Sequence, residues 1–192
     1  MSLFEVITIT LSVILGLSMS HILWSTIATV RVRHKLKLHW LPLFWAACIF
    51  LQHAYYWFAV YSIEQSIGGW SWSWYLQLLL LAVLLFAAGA LILPPELQSA
   101  DDLRQDFQEH GRLALIPFAA HQLLWVPTNF RMGDQIFPDD LLVPSNFVNF
   151  VLFALILVGF LGKKNLVQAT AAPLYLALLI WAQTTIWAPG VF

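Results

Sequence analysis

A single cysteine, Cys48, stands among 192 residues, and it lies inside an apolar run. It can form no disulfide within the chain and no thiolate-rich metal site, so it reads as a small buried apolar side chain. Charge is equally sparse. Asp, Glu, Lys and Arg together make up 10% of the residues, against roughly 25% in soluble domains. No Gly-rich phosphate cradle, nucleophile elbow or Cys-x-x-Cys-His haem attachment motif occurs. Enzymatic hydrolysis and group transfer are therefore left without a supporting motif. A nucleic-acid interface is excluded too, because the few basic residues fall in short segments flanking apolar runs.

What the chain does have is apolar length: 60% hydrophobic residues and a mean hydropathy of +0.77. A chain this apolar has lipid as the solvent for much of its surface. The runs predict six transmembrane helices at about 4–30, 40–63, 72–93, 113–130, 145–161 and 166–188, each continuous rather than alternating as barrel strands would. The fold class expected is an all-α, six-span membrane bundle forming one integral membrane domain over residues 1–192. The first apolar run is too long for a signal-peptide core and has no basic segment before it, so it reads as a retained span.

Cations set the orientation. Arg31, Arg33, Lys35, Lys37, Arg104, Arg112, Lys163 and Lys164 all fall between alternate spans, and only Arg131 lies in the opposite set of loops. Cytoplasmic loops retain Lys and Arg, so eight against one puts both termini outside and the 94–112 linker in the cytoplasm of a bacterial inner membrane. Trp40 and Trp45 read as anchors at one interface, and Trp70, Trp72, Trp74 and Trp187 at the other. From 96 to 111, Leu97, Ala100, Leu103 and Phe107 share a helical face, with Glu96, Asp101, Asp102, Asp106 and Glu109 mostly elsewhere. This predicts a short amphipathic helix lying at the cytoplasmic interface or docking on a partner.

Three histidines fall inside predicted spans: His21, His53 and His121. Their depths differ by about 6 Å at ~1.5 Å per residue, which allows them to converge. A titratable side chain at such depth faces a bundle interior or an aqueous cavity and is a candidate intramembrane polar site. Its roles divide three ways: interhelical hydrogen bonds without chemistry, a proton or ion pathway, or a metal or non-covalent b-type haem held by His21 and His121. A second polar group, Gln77, Asn146, Asn149, Gln183, Thr184 and Thr185, suits a hydrated outer vestibule for an ion or small neutral solute. Ser12, Gly16 and Ser20 form a small-residue stripe suited to close helix packing.

The opening Leu3-Phe4-Glu5 with Gly16 and His21, the basic stretch before His39-Trp40, and Asp102-Leu103-Arg104 with Phe107 resemble a group of small uncharacterised bacterial multi-pass inner-membrane proteins. The resemblance spans roughly the first two thirds and implies a multi-pass membrane fold, with no activity, cofactor or binding residue attached. The residues themselves point to a channel, transporter or sensor for a proton, ion or small solute, acting as a homo-oligomer or within a larger assembly in the lipid bilayer. The alternatives are an accessory subunit of a membrane complex and a haem or metal protein.

Overall fold

The computed structural model describes residues 3–34, 37–66, 69–94, 102–133, 144–162 and 165–186. It is all-helical: α1 Leu3–Arg31, α2 Trp40–Ser66, α3 Trp72–Leu91, α4 Leu103–Glu109, α5 Leu115–Gly133, α6 Pro144–Leu161 and α7 Asn165–Thr185, with one 3-10 turn at Gly111–Ala114 between α4 and α5. The six long helices coincide with the six apolar runs to within a few residues. Four of them, α1, α2, α3 and α6, are long and apolar enough to cross a membrane by length and composition. The other two, α5 and α7, carry Gln122, Asn129, Gln168 and Gln183, which lower their hydropathy without shortening them.

The long helices close into a cycle in the order α1, α3, α5, α6, α7, α2 and back to α1, and α2 also touches α3 and α5 across the middle. On α1 the buried positions are Ile7, Leu11, Leu15, Ser18, Ile22, Ser25 and Thr29. From Leu11 onward their spacing alternates four and three, a heptad seam that favours shallow, left-handed crossing. It meets α3 where that helix thins: a Cβ at Gly89 would lie against Ser18 Oγ and 3.0 Å from Ile22 Cδ1. The opposite faces remain apolar. Ile9, Val13 and Leu17 of α1, Phe147 of α6, and Leu174 and Ile180 of α7 are exposed, an apolar exterior that suits lipid and not water.

The two ends of the bundle differ. At one, called the linker end, Asp102 caps α4 by accepting from the Arg104 and Gln105 amides at 2.9 and 3.3 Å, and Leu103 N donates to Lys37 O at 3.3 Å. Among the described residues of the expected amphipathic stretch, 103–109 are α-helical; residues 95–101, with Leu97 and Ala100, lie outside the described part. Leu103 and Phe107 are fully buried, so the apolar face of α4 turns into the protein, not into lipid. Phe107 packs beside Gly111, where a Cβ would stand 2.9 Å from its ring. At the other, the Arg131 end, Ser71 caps α3 through Trp74 N at 3.3 Å, and the Phe4 and Trp70 rings meet at 5.4 Å.

Candidate functional site: a buried amide cluster above an aromatic floor

Of the three histidines, the interior holds two. His53 Nδ1 lies 2.7 Å from Ile49 O. A carbonyl only accepts, so that nitrogen carries the hydrogen and Nε2 accepts from Ser18 Oγ at 2.7 Å. His121 repeats the arrangement, with Nδ1 donating to Leu81 O of α3 at 2.9 Å and Nε2 accepting from Trp125 Nε1 at 3.1 Å. Tyr56 packs edge-on against the His121 ring at 5.7 Å and donates its own hydroxyl to Leu78 O at 2.6 Å. Both imidazoles are thus held as neutral Nδ1–H tautomers with every nitrogen engaged.

His21 is only partly buried, and its Nε2 has no hydrogen-bond partner. It sits on α1, while His121 sits on α5, and these two helices flank α3 on different sides without appreciable mutual contact. The packing therefore gives no contact among the described residues that would pair His21 with His121. Axial ligation by His121 would first require breaking its bond to Trp125. Among the described residues, no three His, Cys, Asp or Glu side chains gather as a metal site.

The outer polar residues divide similarly. Asn146 and Asn149 point into the interior from α6: Asn129 Nδ2 donates to Asn146 Oδ1 at 2.9 Å, and Gln122 Nε2 to Asn149 Oδ1 at 2.7 Å. Gln183 meets the Tyr55 hydroxyl. Gln77 lies instead in the α3–α5 seam, donating to Thr128 Oγ1 at 2.7 Å and accepting from Arg131, whose guanidinium stacks 4.2 Å over the Trp74 ring and reaches Ser73 Oγ. Thr184 and Thr185 are exposed and, among the described residues, bond to backbone carbonyls of their own helix. Ser12, Gly16 and Ser20 are exposed on the outward side of α1, and nothing lies within 4 Å of a Cβ built on Gly16.

Joining Asn146, Asn149 and Gln183 are residues that the sequence reading passed over. Gln52 of α2 accepts from Tyr175 OH of α7 at 3.1 Å, and Gln122 of α5 completes the group. Each glutamine is the chain neighbour of a histidine, and about 100° of helical rotation aims it at different helices. Neutral amides and phenols thus tie α2 to α7, through Gln52–Tyr175 and Tyr55–Gln183, and α5 to α6, through Gln122–Asn149 and Asn129–Asn146. Several polar atoms stay unpaired although buried: Gln52 Nε2, Gln122 Oε1, Gln183 Nε2, Ser145 Oγ and Trp45 Nε1. Gln52 and Gln122 are each only 1% exposed.

Towards the linker end the cluster rests on three wholly buried rings. Trp45 and Phe118 meet edge-on at 6.5 Å, Trp45 and Tyr175 at 5.9 Å, and Phe118 and Tyr175 at 5.2 Å. The fourth helix contributes Gly159, where a Cβ would stand 2.6 Å from Trp45 Cζ2. Trp45 is therefore a core residue and not the interfacial anchor expected: it lies more than a turn inside α2, on the side facing α5 and α7. Beyond this floor, Gln108 Nε2 donates to Gln168 Oε1 at 2.6 Å, and Arg112 donates to Gln108 and to Phe160 O while covering the Phe160 ring at 5.3 Å. Polar groups occur on both sides of the triad, and the triad separates them. Comparison with protein-family models, with curated proteins and with solved structures gives no match.

Proposed function

We propose that the chain is a six-span protein of a bacterial inner membrane that binds a small solute in the half of the bundle nearer the Arg131 end, as a conduit or a sensor. The observation that carries this reading is the pair of orphaned amide ends on Gln52 and Gln122. Each buried polar group left unpaired costs about 1–3 kcal/mol, and Gln52 Nε2 and Gln122 Oε1 would be most simply satisfied by a polar molecule that enters the bundle. The cations support the direction: Arg31, Arg33, Lys37, Arg104 and Arg112 lie at the linker end and Arg131 at the other, a bias that favours a cytoplasmic linker end. The site then faces outward above a closed aromatic floor.

A proton path through His53 and His121 gains no support from the geometry, because both rings are tied as neutral links between helices. The reading as an accessory subunit is favoured by one feature, the packed triad that interrupts the interior. Stopped-flow light scattering on proteoliposomes separates the two readings. Conduction predicts that at least one solute from a panel of water, neutral polar molecules and ions crosses faster than in empty liposomes. Sensing predicts saturable binding without flux. Neither flux nor binding, from a correctly oriented protein, would leave the accessory role standing.

A further inference from the structure

Beyond the solute site, and needing only the membrane location of the bundle, we infer that Arg131 binds the phosphodiester of one net-anionic lipid in the leaflet at its end of the protein. Arg131 alone lies in the set of loops opposite to those that hold the other cations, so the charge bias that orients the chain does not account for it. Its contacts are all neutral. The guanidinium lies 4.2 Å over the Trp74 ring, donates to Ser73 Oγ at 2.9 Å and donates to Gln77 Oε1. Two of its N–H groups are thereby used, and the rest of the fork remains. Among the described residues no carboxylate pairs with it; the pair they do hold, His110 with Asp106, is at the opposite end. Helix dipoles do not supply the missing charge. Arg131 falls in the last turn of α5, which favours a cation, but rests against the first turn of α3, which opposes one.

The surroundings of the guanidinium point to lipid as the source of the anion. Trp72 is 70% exposed and stands 5.2 Å from the Tyr75 ring, and such rings at the end of an apolar bundle settle at headgroup depth. Arg131 is exposed beside them. Further into the bilayer the same two helix faces turn apolar: Leu80, seven residues on from Ser73, is exposed, and Pro127 and Leu124, four and seven residues before Arg131, are exposed and partly buried. Between these, Gln77 and Thr128 satisfy each other at 2.7 Å. A lipid can therefore set its phosphate on the planar fork, which matches phosphate oxygens in pairs, and run an acyl chain along the α3–α5 seam. Net negative charge is favoured, because a zwitterionic headgroup brings its own ammonium close to the guanidinium.

The chain has five arginines, so a sample isotopically labelled in arginine alone gives five side-chain Nε–H NMR signals, and Arg131→Lys identifies the one that reports. In uncharged maltoside micelles we expect that signal of the full chain to shift saturably with added phosphatidylglycerol. Phosphatidylcholine of the same acyl chains should act about fivefold more weakly, the equivalent of the roughly 1 kcal/mol that one basic residue gains near an anionic lipid surface. In native mass spectrometry Arg131→Gln should retain one phosphatidylglycerol fewer than the natural chain, with its melting temperature showing that it is folded. Should it fail to fold, the Arg131 signal of the natural chain decides alone.

A signal that ignores phosphatidylglycerol, or that answers both lipids alike, overturns the inference. So does an equal response to soluble glycerol phosphate, which would make the ligand a free phosphate and not a lipid. Asp134, outside the described residues, is the chain's own competing carboxylate; a response that appears only in Asp134→Asn would overturn the lipid as well. None of these results touches the solute site, since neither Arg131 nor Gln77 belongs to the amide cluster.

Discussion

At the scale of single residues, glycine positions separate contacts that the fold uses from those it does not. At Gly89 an added methyl meets Ser18 Oγ, which can turn away only by abandoning His53 Nε2. Gly89→Ala should therefore cost about 1–3 kcal/mol through overpacking, seen as a lower melting temperature in detergent. Gly16→Leu should leave melting unchanged, because the side chain enters open space, and a mass measurement on the same sample reports whether that face pairs with another copy. The His121 pair offers a second test. His121→Phe strands Trp125 Nε1 and removes the second bond on the α3 carbonyl of Leu81, and should destabilise by about 1–3 kcal/mol. Adding Trp125→Phe should recover part of the loss, since the orphaned donor disappears with it. A melting temperature that drops further in the double variant would contradict the bond assigned here.

At the scale of elements, the start of α2 depends on the protonation of His39. Its Nδ1 accepts from Leu41 N at 3.3 Å, occupying one of the amides that a helix start leaves free. Burial, then the nearby Arg104 charge, lowers the His39 pKa from its ordinary 6.5, and Asp102 opposes them. A group whose folded pKa is depressed binds more protons when unfolded, so its effect on stability grows as pH falls below 6.5 and is complete below the folded value. Protonation also removes the lone pair that caps the helix, a loss of about 1 kcal/mol. Amide exchange at Leu41 should quicken as pH is lowered from 7 to 5 once the intrinsic rate is divided out, and His39→Gln should flatten that dependence.

The elements themselves were legible in the sequence, because a lipid-facing helix must be apolar over its whole length and the runs display that directly. Which face each helix buries was not. On α1 the visible small-residue stripe, Ser12, Gly16 and Ser20, faces outward, while the buried seam runs through Ser18, Ser25 and Thr29; with apolar side chains all round, no hydrophobic contrast marks the inner side. Trp45 misled for a related reason: tryptophan serves both as interfacial anchor and as core ring, and only the partners on α5 and α7 distinguish them. The amide site was half visible. Asn146, Asn149 and Gln183 stood out as polar groups in apolar runs, whereas Gln52 and Gln122 were eclipsed by the titratable histidines beside them.

At the scale of the whole molecule, the packing gives no support to an internal duplication of three helices. α1 lies along α3, and a repeat would set α5 along α7 in the same way; instead α5 packs on α3 and α6. Orientation is open to direct measurement. Cysteines placed singly at Ser71 and His110, both exposed and at opposite ends, should react differently with a membrane-impermeant maleimide in intact cells, Ser71→Cys labelling and His110→Cys remaining protected. Native Cys48 is wholly buried and should stay silent. The reverse pattern would place the amide site on the cytoplasmic side.

The seam between α1 and α3 also governs how the protein is made. α1 has its most extensive contact with α3, not with its immediate successor α2, and the surface it buries includes Ser18, Ser25 and Thr29. Until α3 emerges, those hydroxyls face either lipid or the insertion machinery, and Ser18 has at best His53 of α2 for company. Burial of α1's inner face is thereby linked to a segment some sixty residues further along the chain. A pause in translation between α2 and α3 would expose a half-finished hairpin with its polar edge uncovered, a natural target for membrane quality control.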